Sequence, residues 1–181
     1  MDASPGFGHL RALYTEQADD VMLRRVIALS LIAYSILLLQ GKQPSSSVEP
    51  PSGTGLLFEA AGEGSQIYTC TDGHWALKAP DAKLLDEHGQ VIGTHFAGPT
   101  WRLQDGSEVK GKAIASRAAG DASSVAWLLI QAVPGSGSGK LANVLYVRRT
   151  ETHGGAAPAK ACDSGEERVS YTAKYSFYTG K

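Results

Sequence analysis

The chain has 181 residues, a formal net charge of -1 and a hydrophobic content of 43%. This length is enough for one domain plus an N-terminal extension, and the balanced charge excludes both a strongly basic nucleic-acid-binding surface and an acidic tail. The 21 glycines and the scarcity of charged runs favour a turn-rich β protein over a helical one.

The N-terminal region is predicted to direct export. Residues 1–21 form a polar extension, after which two consecutive arginines precede an apolar run over residues 26–39. Basic residues before an apolar segment of this length are typical of a secretory signal. We therefore predict a leader helix within residues 22–41, either a cleaved signal peptide that starts at Met22 or an uncleaved anchor. The protein is then expected outside the cell or in the cell envelope, with membrane contact only through an uncleaved leader.

A change in composition separates this leader from the folded domain. Residues 42–53 are rich in proline and serine and are interpreted as a linker. Residues 54–181 are predicted to form one all-β domain.

Within this domain, short β signals alternate with turn signals. The Asp-Gly pairs at 72–73 and 105–106 each lie between strand-like stretches, which is typical of tight hairpin turns. Residues 107–116 and 168–177 alternate in polarity, as expected of strands with one face in solvent. Residues 125–133 are apolar on both faces and predict a central strand. The other predicted strands are residues 55–60, 66–70, 74–78, 90–94, 100–104 and 141–150.

About ten short strands joined by tight turns predict antiparallel pairing between neighbours. Such a sheet must close or fold on itself to protect its edges. The sequence therefore predicts a β-barrel or a β-sandwich and leaves the choice open. The lack of βαβ alternation argues against a parallel nucleotide-binding sheet.

Cys70 and Cys162 are the only two cysteines. In an exported domain such a pair predicts a disulfide, whereas in a cytosolic protein both residues are expected to be free thiols. The predicted bond joins the strand before the first Asp-Gly turn to the segment before the last strand. In the chain-entropy description it contributes roughly 4–5 kcal/mol of stability.

The most unusual stretch comprises residues 92–101, which combine a histidine, two aromatic residues and a Gly-Pro turn. We interpret it as a structured loop between strands. Trp101 follows the turn, where an aromatic ring can line a barrel mouth and hold a sugar or a flat apolar ligand. The alternative is that Trp101 closes the barrel end together with Phe96. Trp75 and Trp127 are instead predicted to be core residues.

The candidate ligand-binding residues are Thr94, His95, Phe96, Trp101 and Arg149. His95 is the candidate ligand contact or general base, although a structural histidine bonded to backbone is more common. Arg102, Arg148 and Arg149 are candidates for contact with an anion. The five histidines do not fall at metal-ligand spacing, and no cofactor or nucleophile motif is complete, so neither a metal nor a cofactor is predicted.

From Leu57 to the C-terminus, the sequence resembles a family catalogued as domain of unknown function thirty-four fifty-five. The matching residues are Phe58-Glu59, Gly62-Glu63-Gly64, Gln66 to Cys70, Trp75 to Pro80, Gly93 to Trp101, Trp127 to Leu129, Arg149, Thr152, Gly154-Gly155, Ala157-Pro158, Cys162-Asp163 and Tyr171 to Tyr178. The resemblance implies an exported protein of bacterial or fungal type and carries no established activity. The chain departs from the family pattern at His153, where a small polar residue is expected.

Two functional hypotheses from different classes follow. The first is a non-enzymatic exported binding or cell-surface interaction module, with a small molecule or carbohydrate held around His95 and Trp101. The second is a small hydrolase-like enzyme that uses His95 with a carboxylate such as Asp72 or Glu151. We prefer the first because no nucleophile, metal cluster or cofactor motif can be assembled. A structural envelope protein is a third hypothesis.

Overall fold

Eight antiparallel strands make up one sheet in the computed structural model, which describes residues 47–181. The strands are β1 (Thr54–Thr71), β2 (His74–Leu85), β3 (Val91–Phe96), β4 (Thr100–Leu103), β5 (Glu108–Arg117), β6 (Trp127–Ala132), β7 (Val144–Gly154) and β8 (Glu166–Gly180). Each strand pairs with the next, and β8 pairs with β1, so the sheet closes into a barrel. The prediction of an antiparallel all-β domain is confirmed, whereas the predicted leader helix lies outside the described residues.

Residues 54–181 contain eight strands, and the prediction of about ten in this domain was wrong in this respect. Residues 55–60 and 66–70, predicted as two strands, belong to the single long strand β1. The glycines between them serve close packing and do not form a turn. A Cβ atom on Gly62 would lie 2.5 Å from the Tyr175 ring, and one on Gly64 would lie 2.1 Å from the backbone of β2.

Connections alternate between the two ends of the barrel, as antiparallel neighbours require. The upper end carries the connections over residues 72–73, 97–99, 118–126 and 155–165, and the lower end carries the other connections and both ends of the described chain. Asp72 and Gly73 both have positive φ, at 50° and 81°. These angles fit the two-residue hairpin turn that the Asp-Gly pair predicts.

The barrel interior is apolar towards the lower end. Its core residues there include Leu84, Val109, Leu141, Val147 and Phe177, all of them almost fully buried. The predicted alternation of the last strand is confirmed, because Tyr171, Ala173, Tyr175 and Phe177 all lie in this interior while their neighbours Thr172 and Lys174 are more exposed. Polar side chains are concentrated towards the upper end.

The prediction that Trp75 and Trp127 are core residues was wrong, and the burial of Trp101, which the sequence left open, is now defined. Trp101 is completely buried, whereas Trp75 and Trp127 are only partly buried. Trp127 is the cross-strand partner of Arg117, whose guanidinium lies 4.4 Å from the centre of the indole ring. Because its strand is apolar on both faces, sequence alternation does not reveal which face turns inward.

The segment before β1 is also part of the folded unit. Val48 is buried, and the Glu49 carboxylate pairs with the Arg148 guanidinium. Two residues of the predicted linker are therefore held against the barrel. Within residues 47–181, no helix is long and apolar enough to cross a membrane.

The predicted disulfide between Cys70 and Cys162 is confirmed. It joins the end of β1 to the connection between β7 and β8, with 5.8 Å between the two Cα atoms. Backbone hydrogen bonds reinforce this junction, because Cys70 N donates to Gly165 O and Cys162 N donates to Gly73 O. At the upper end of the barrel, the turn between β1 and β2 is thus joined covalently and by hydrogen bonds to the connection between β7 and β8.

Candidate functional site

Residues 92–101 form a β-hairpin, not the loop between strands that was predicted. Strands β3 and β4 pair through a turn at residues 97–99, and Gly98 has a φ of 95°. The Thr100 hydroxyl donates a hydrogen bond to Ala97 O at 2.9 Å, which closes the turn. The hairpin fixes the direction of each side chain along these two strands.

Period-two alternation separates the candidate residues of this hairpin into two sets. His95 and Trp101 point into the barrel and are buried. Thr94 is exposed, and Phe96 lies on the outer face beneath the Arg102 guanidinium, 5.0 Å from the ring centre. Thr94 and Phe96 therefore lie on the opposite face of the sheet from His95 and Trp101.

His95 is held as a neutral imidazole. Its Nδ1 lies 2.9 Å from Thr100 O, and because a carbonyl oxygen only accepts, Nδ1 carries the proton and Nε2 is an acceptor. The side chain is 3% exposed. Burial and, to a smaller extent, the positive charge of Arg149 lower the pKa of His95 to about 4, against the opposing effect of the Thr100 hydrogen bond.

The carboxylates proposed as partners for His95 lie elsewhere. Asp72 is exposed in the turn between β1 and β2, and the Glu151 carboxylate accepts a hydrogen bond from Lys174 Nζ at 2.9 Å. Among residues 47–181, no carboxylate hydrogen-bonds to His95. The backbone carbonyl of Thr100, and not a carboxylate, orients the His95 imidazole.

Trp101 lies inside the barrel, neither at the mouth nor as an end plug with Phe96. Its ring stacks on His95, with the centroids 4.6 Å apart, and meets Tyr175 and Phe177 edge-on. Gly111 leaves room for the indole, since a Cβ atom there would lie 3.3 Å from it. The indole Nε1 is buried and has no hydrogen-bond partner among the described residues.

Gln66 is an interior residue that was not among the predicted ligand-binding residues. It is 1% exposed, and neither its amide oxygen nor its amide nitrogen has a hydrogen-bond partner within the described part of the chain. Its Cγ atom approaches Gly155 beside Tyr171 and Val125. Gln66 lies four residues after Gly62, so the period-two alternation of β1 places both residues on the inner face. The sequence alternation therefore carries enough information to identify Gln66 as an inward-facing residue.

Two tyrosines of β8 extend this polar interior. The Tyr171 and Tyr175 hydroxyl oxygens lie 3.2 Å apart and share a hydrogen bond. Burial raises the pKa of both, so both hydroxyls remain protonated at neutral pH. The Tyr68 hydroxyl is engaged separately, because it donates to Gly155 O at 2.6 Å.

Arg149 is the charged residue of this region. It pairs across the sheet with Leu128 on one side and Tyr175 on the other, and its Nε and Nη2 donate to Ala126 O at 3.1 and 2.8 Å. Its positive charge opposes the rise in pKa that burial causes at Tyr171 and Tyr175. Arg149 therefore lies close to both tyrosines and to His95.

The three candidate arginines differ in their partners. Arg102 Nε donates to the Glu108 carboxylate at 2.7 Å, and Arg148 pairs with Glu49. Arg149 has no ion-pair partner within residues 47–181. Its guanidinium instead faces two neutral acceptors, Ala126 O and the hydroxyl oxygen of its cross-strand partner Tyr175.

Hydrogen bonds fix the backbone next to Ala126, the residue whose carbonyl accepts from Arg149. Val125 N donates to Gly154 O at 2.9 Å, and the Thr152 hydroxyl donates to Val125 O at 2.6 Å. Between Arg149 and Thr152, Glu151 has a positive φ of 49° and the pairing register of β7 shifts. Bulges of this kind redirect side chains next to functional sites.

We call the resulting group the interior polar cluster. Its members are Gln66, His95, Trp101, Arg149, Tyr171 and Tyr175. Of the five predicted ligand-binding residues, the structure brings together His95, Trp101 and Arg149. Within residues 47–181, no group of His, Cys, Asp and Glu is arranged to hold a metal ion.

Two surface grooves lie apart from this cluster. One, of about 970 Å³, follows β1 and β8 past Glu59, Glu151 and Lys174. Its lysine pairs with both glutamates, so one negative charge of the three groups remains uncompensated. The other, of about 630 Å³, lies near Leu57 and Lys140. Neither groove contains His95, Trp101 or Arg149.

Comparison with known proteins gives one match, over residues 51–179, to the family described as "Protein of unknown function (DUF3455)". The chain belongs to the DUF3455 family. The DUF3455 region contains seven of the strands in full and β8 as far as residue 179, both cysteines and the whole interior polar cluster. No curated protein and no solved structure matches the chain. Membership of DUF3455 thus confirms the resemblance seen in the sequence, and the function has to be argued from the interior polar cluster.

Proposed function

We propose that this protein is a non-enzymatic, exported binding module that holds a small polar molecule at the interior polar cluster. The observation that carries the proposal is the Gln66 amide, which is buried with both of its polar atoms unpartnered. Native proteins satisfy most buried polar groups, and each one left unpaired costs about 1–3 kcal/mol. A bound molecule with one donor and one acceptor satisfies both atoms.

The other members of the cluster offer complementary groups. Trp101 Nε1 is an unpaired donor, and His95 Nε2 is an acceptor because Nδ1 is engaged with Thr100. Donors and acceptors in fixed positions are what a specific site for a polar ligand needs. The eight-stranded barrel limits the ligand to a small molecule, since an interior of this size has room for little beyond side chains.

The same geometry supports binding over catalysis. Proton transfer by His95 requires a protonation state that changes near neutral pH, whereas burial holds the pKa of this imidazole at about 4. A sugar that stacks on Trp101 is also disfavoured. His95 covers one face of the indole, and Tyr175 and Phe177 pack against its ring.

Export is supported by the Cys70–Cys162 disulfide, because such bonds persist mainly in oxidising compartments. The test is N-terminal sequencing of the protein purified from its native host. We expect a mature chain that begins after about residue 41, where the predicted signal segment ends. A cytosolic protein that begins at Met1 would contradict export.

Binding is tested by a thermal-shift screen of small polar metabolites on the full chain and on a Gln66→Leu variant. A true ligand raises the melting temperature of the wild type and loses most of this effect in the variant. The matched control is Gln131→Leu, because Gln131 is exposed on the outer face of β6. A hit that stabilises all three proteins equally binds elsewhere, and a screen without any Gln66-dependent hit contradicts the proposal.

A further inference from the structure

Arg149 indicates the chemical class of the ligand, an inference that rests on the proposed binding function. We propose that the interior polar cluster binds a small monocarboxylate, with the carboxylate held by Arg149 and a second polar group of the ligand held by Gln66. Two independent observations carry the inference, namely an arginine without an anionic partner and a buried amide without any partner.

The first step concerns charge. Arg102, Arg148 and Arg168 each pair with a carboxylate, while Arg149 pairs with none among residues 47–181. Arg117 also has no ion pair there, but it is exposed and lies over the Trp127 ring. Arg149 is only half-buried, but it borders an interior in which Gln66, His95 and Trp101 are almost completely buried. An unpaired charge beside such an interior is costly, and a bound anion removes this cost.

The second step concerns geometry. Nε and Nη2 of Arg149 both donate to the single oxygen of Ala126, which fixes the plane of the guanidinium. Arginine has five N–H donors in a rigid fork. Two donate to Ala126 and the guanidinium also reaches the Tyr175 hydroxyl, which leaves donors for one further acceptor. The oxygens of a carboxylate match this fork, and such pairs are short and strong.

The third step concerns the number of charges on the ligand. The cluster contains one cation, because His95 is neutral at neutral pH and both tyrosine hydroxyls are protonated. One negative charge is therefore balanced. A phosphate dianion would bring an additional negative charge into the interior, where nothing on the described residues of the cluster offsets it.

The fourth step concerns the remainder of the ligand. Beyond the carboxylate, the interior presents the Gln66 amide and Trp101 Nε1, both unpartnered. A hydroxyl or carbonyl group next to the carboxylate has the donors or acceptors that these atoms lack. Small hydroxy acids and oxo acids therefore fit better than purely aliphatic acids of the same size.

The test uses the full chain at pH 7.5 and constant ionic strength, with calorimetric titration and thermal shift. The probes are glycolate, its neutral analogue glycolamide, acetate and inorganic phosphate. We expect glycolate to bind most tightly, acetate more weakly, and glycolamide and phosphate weakest of all. Replacing Arg149 by glutamine should weaken glycolate binding by about tenfold or more, the effect of losing one charge-assisted contact.

The matched control is Arg148→Gln, since Arg148 pairs with Glu49 and is not a member of the cluster. This variant should bind glycolate as the wild type does. If Arg149→Gln does not fold, the comparison of glycolate with glycolamide on the wild type decides the matter without any variant.

Three outcomes overturn the inference. Equal binding of glycolamide and glycolate, lost in Gln66→Leu, keeps the proposed binding function but refutes the carboxylate class. Equal shifts with glycolate and phosphate show a general anion effect and refute it as well. If no carboxylate binds at millimolar concentration, the inference is wrong, and the wider screen with Gln66→Leu then decides the proposed function separately.

Discussion

His95 and Trp101 are direct cross-strand partners whose rings stack inside the barrel, with the centroids 4.6 Å apart and the planes within 6° of each other. Tyr175 meets both rings edge-on, at 5.1 and 5.8 Å. The pair is therefore part of the barrel's packed interior as well as of the interior polar cluster. Changes at either residue should affect folding, and this separates them from exposed binding residues.

The first prediction compares two tryptophans. Trp101→Ala should destabilise the protein by about 3–5 kcal/mol, the usual cost of truncating a fully buried aromatic side chain. Trp127→Ala should cost clearly less, because Trp127 is only partly buried and is covered by Arg117. Urea unfolding of both variants measures the difference. An equal or larger loss for Trp127→Ala would show that the two indoles are not buried as described.

The order of these two effects is the reverse of what the sequence suggests. Trp127 lies in an apolar run, which points to the core, and Trp101 follows a Gly-Pro turn, which points to the surface. The side of the sheet that each ring occupies depends on the register of the whole barrel. A shift by one residue moves a side chain to the other face, and local composition does not determine this register.

Other features were predictable because they depend on neighbouring residues alone. The Asp72-Gly73 turn follows from the backbone angles that this pair adopts easily, and the inward residues of β8 follow from strict alternation. Gln66 and Arg149 were harder to interpret. Polar residues on an inward face are exceptions to burial rules, and only barrel closure brings these two strands around the same interior.

The second prediction concerns pH. The pKa of His95 is about 4 in the folded protein and near 6.5 when unfolded, so the unfolded state binds more protons between these values. The free energy of unfolding should therefore fall as the pH decreases from 6.5 to 4. Below pH 4, His95 should cause no further loss. The loss is on the order of 3 kcal/mol.

The measurement compares urea unfolding of the wild type and of His95→Gln across this pH range. Carboxylates titrate in both proteins, so the difference between the two curves isolates His95. The difference should change with pH as described, while His88→Gln, at an exposed turn residue, should follow the wild type. Parallel curves for wild type and His95→Gln would refute the buried, neutral state of this imidazole.

The third prediction concerns the disulfide. Replacing Cys70 and Cys162 together by serine should lower the free energy of unfolding by roughly 4 kcal/mol, since the bond closes a loop of 92 residues. Chemical denaturation with and without reducing agent measures this loss. In the oxidised wild type, neither cysteine should react with an alkylating agent. The intact mass should be lower by two hydrogen atoms than the mass with both thiols free. Ready alkylation without denaturant would contradict the bond.

The last prediction separates a binding site from ordinary packing. If the interior polar cluster is kept for a ligand, the ligand-free protein bears the cost of the unpartnered Gln66 amide. Gln66→Leu retains a side chain of similar volume and removes both polar atoms, so this variant should be more stable than the wild type by about 1–2 kcal/mol. Gln131→Leu, on the exposed outer face, should leave the stability nearly unchanged. Urea unfolding in the absence of ligand measures both. A Gln66→Leu variant less stable than the wild type would show that the amide already has partners, such as ordered water, and the cluster would then be structural.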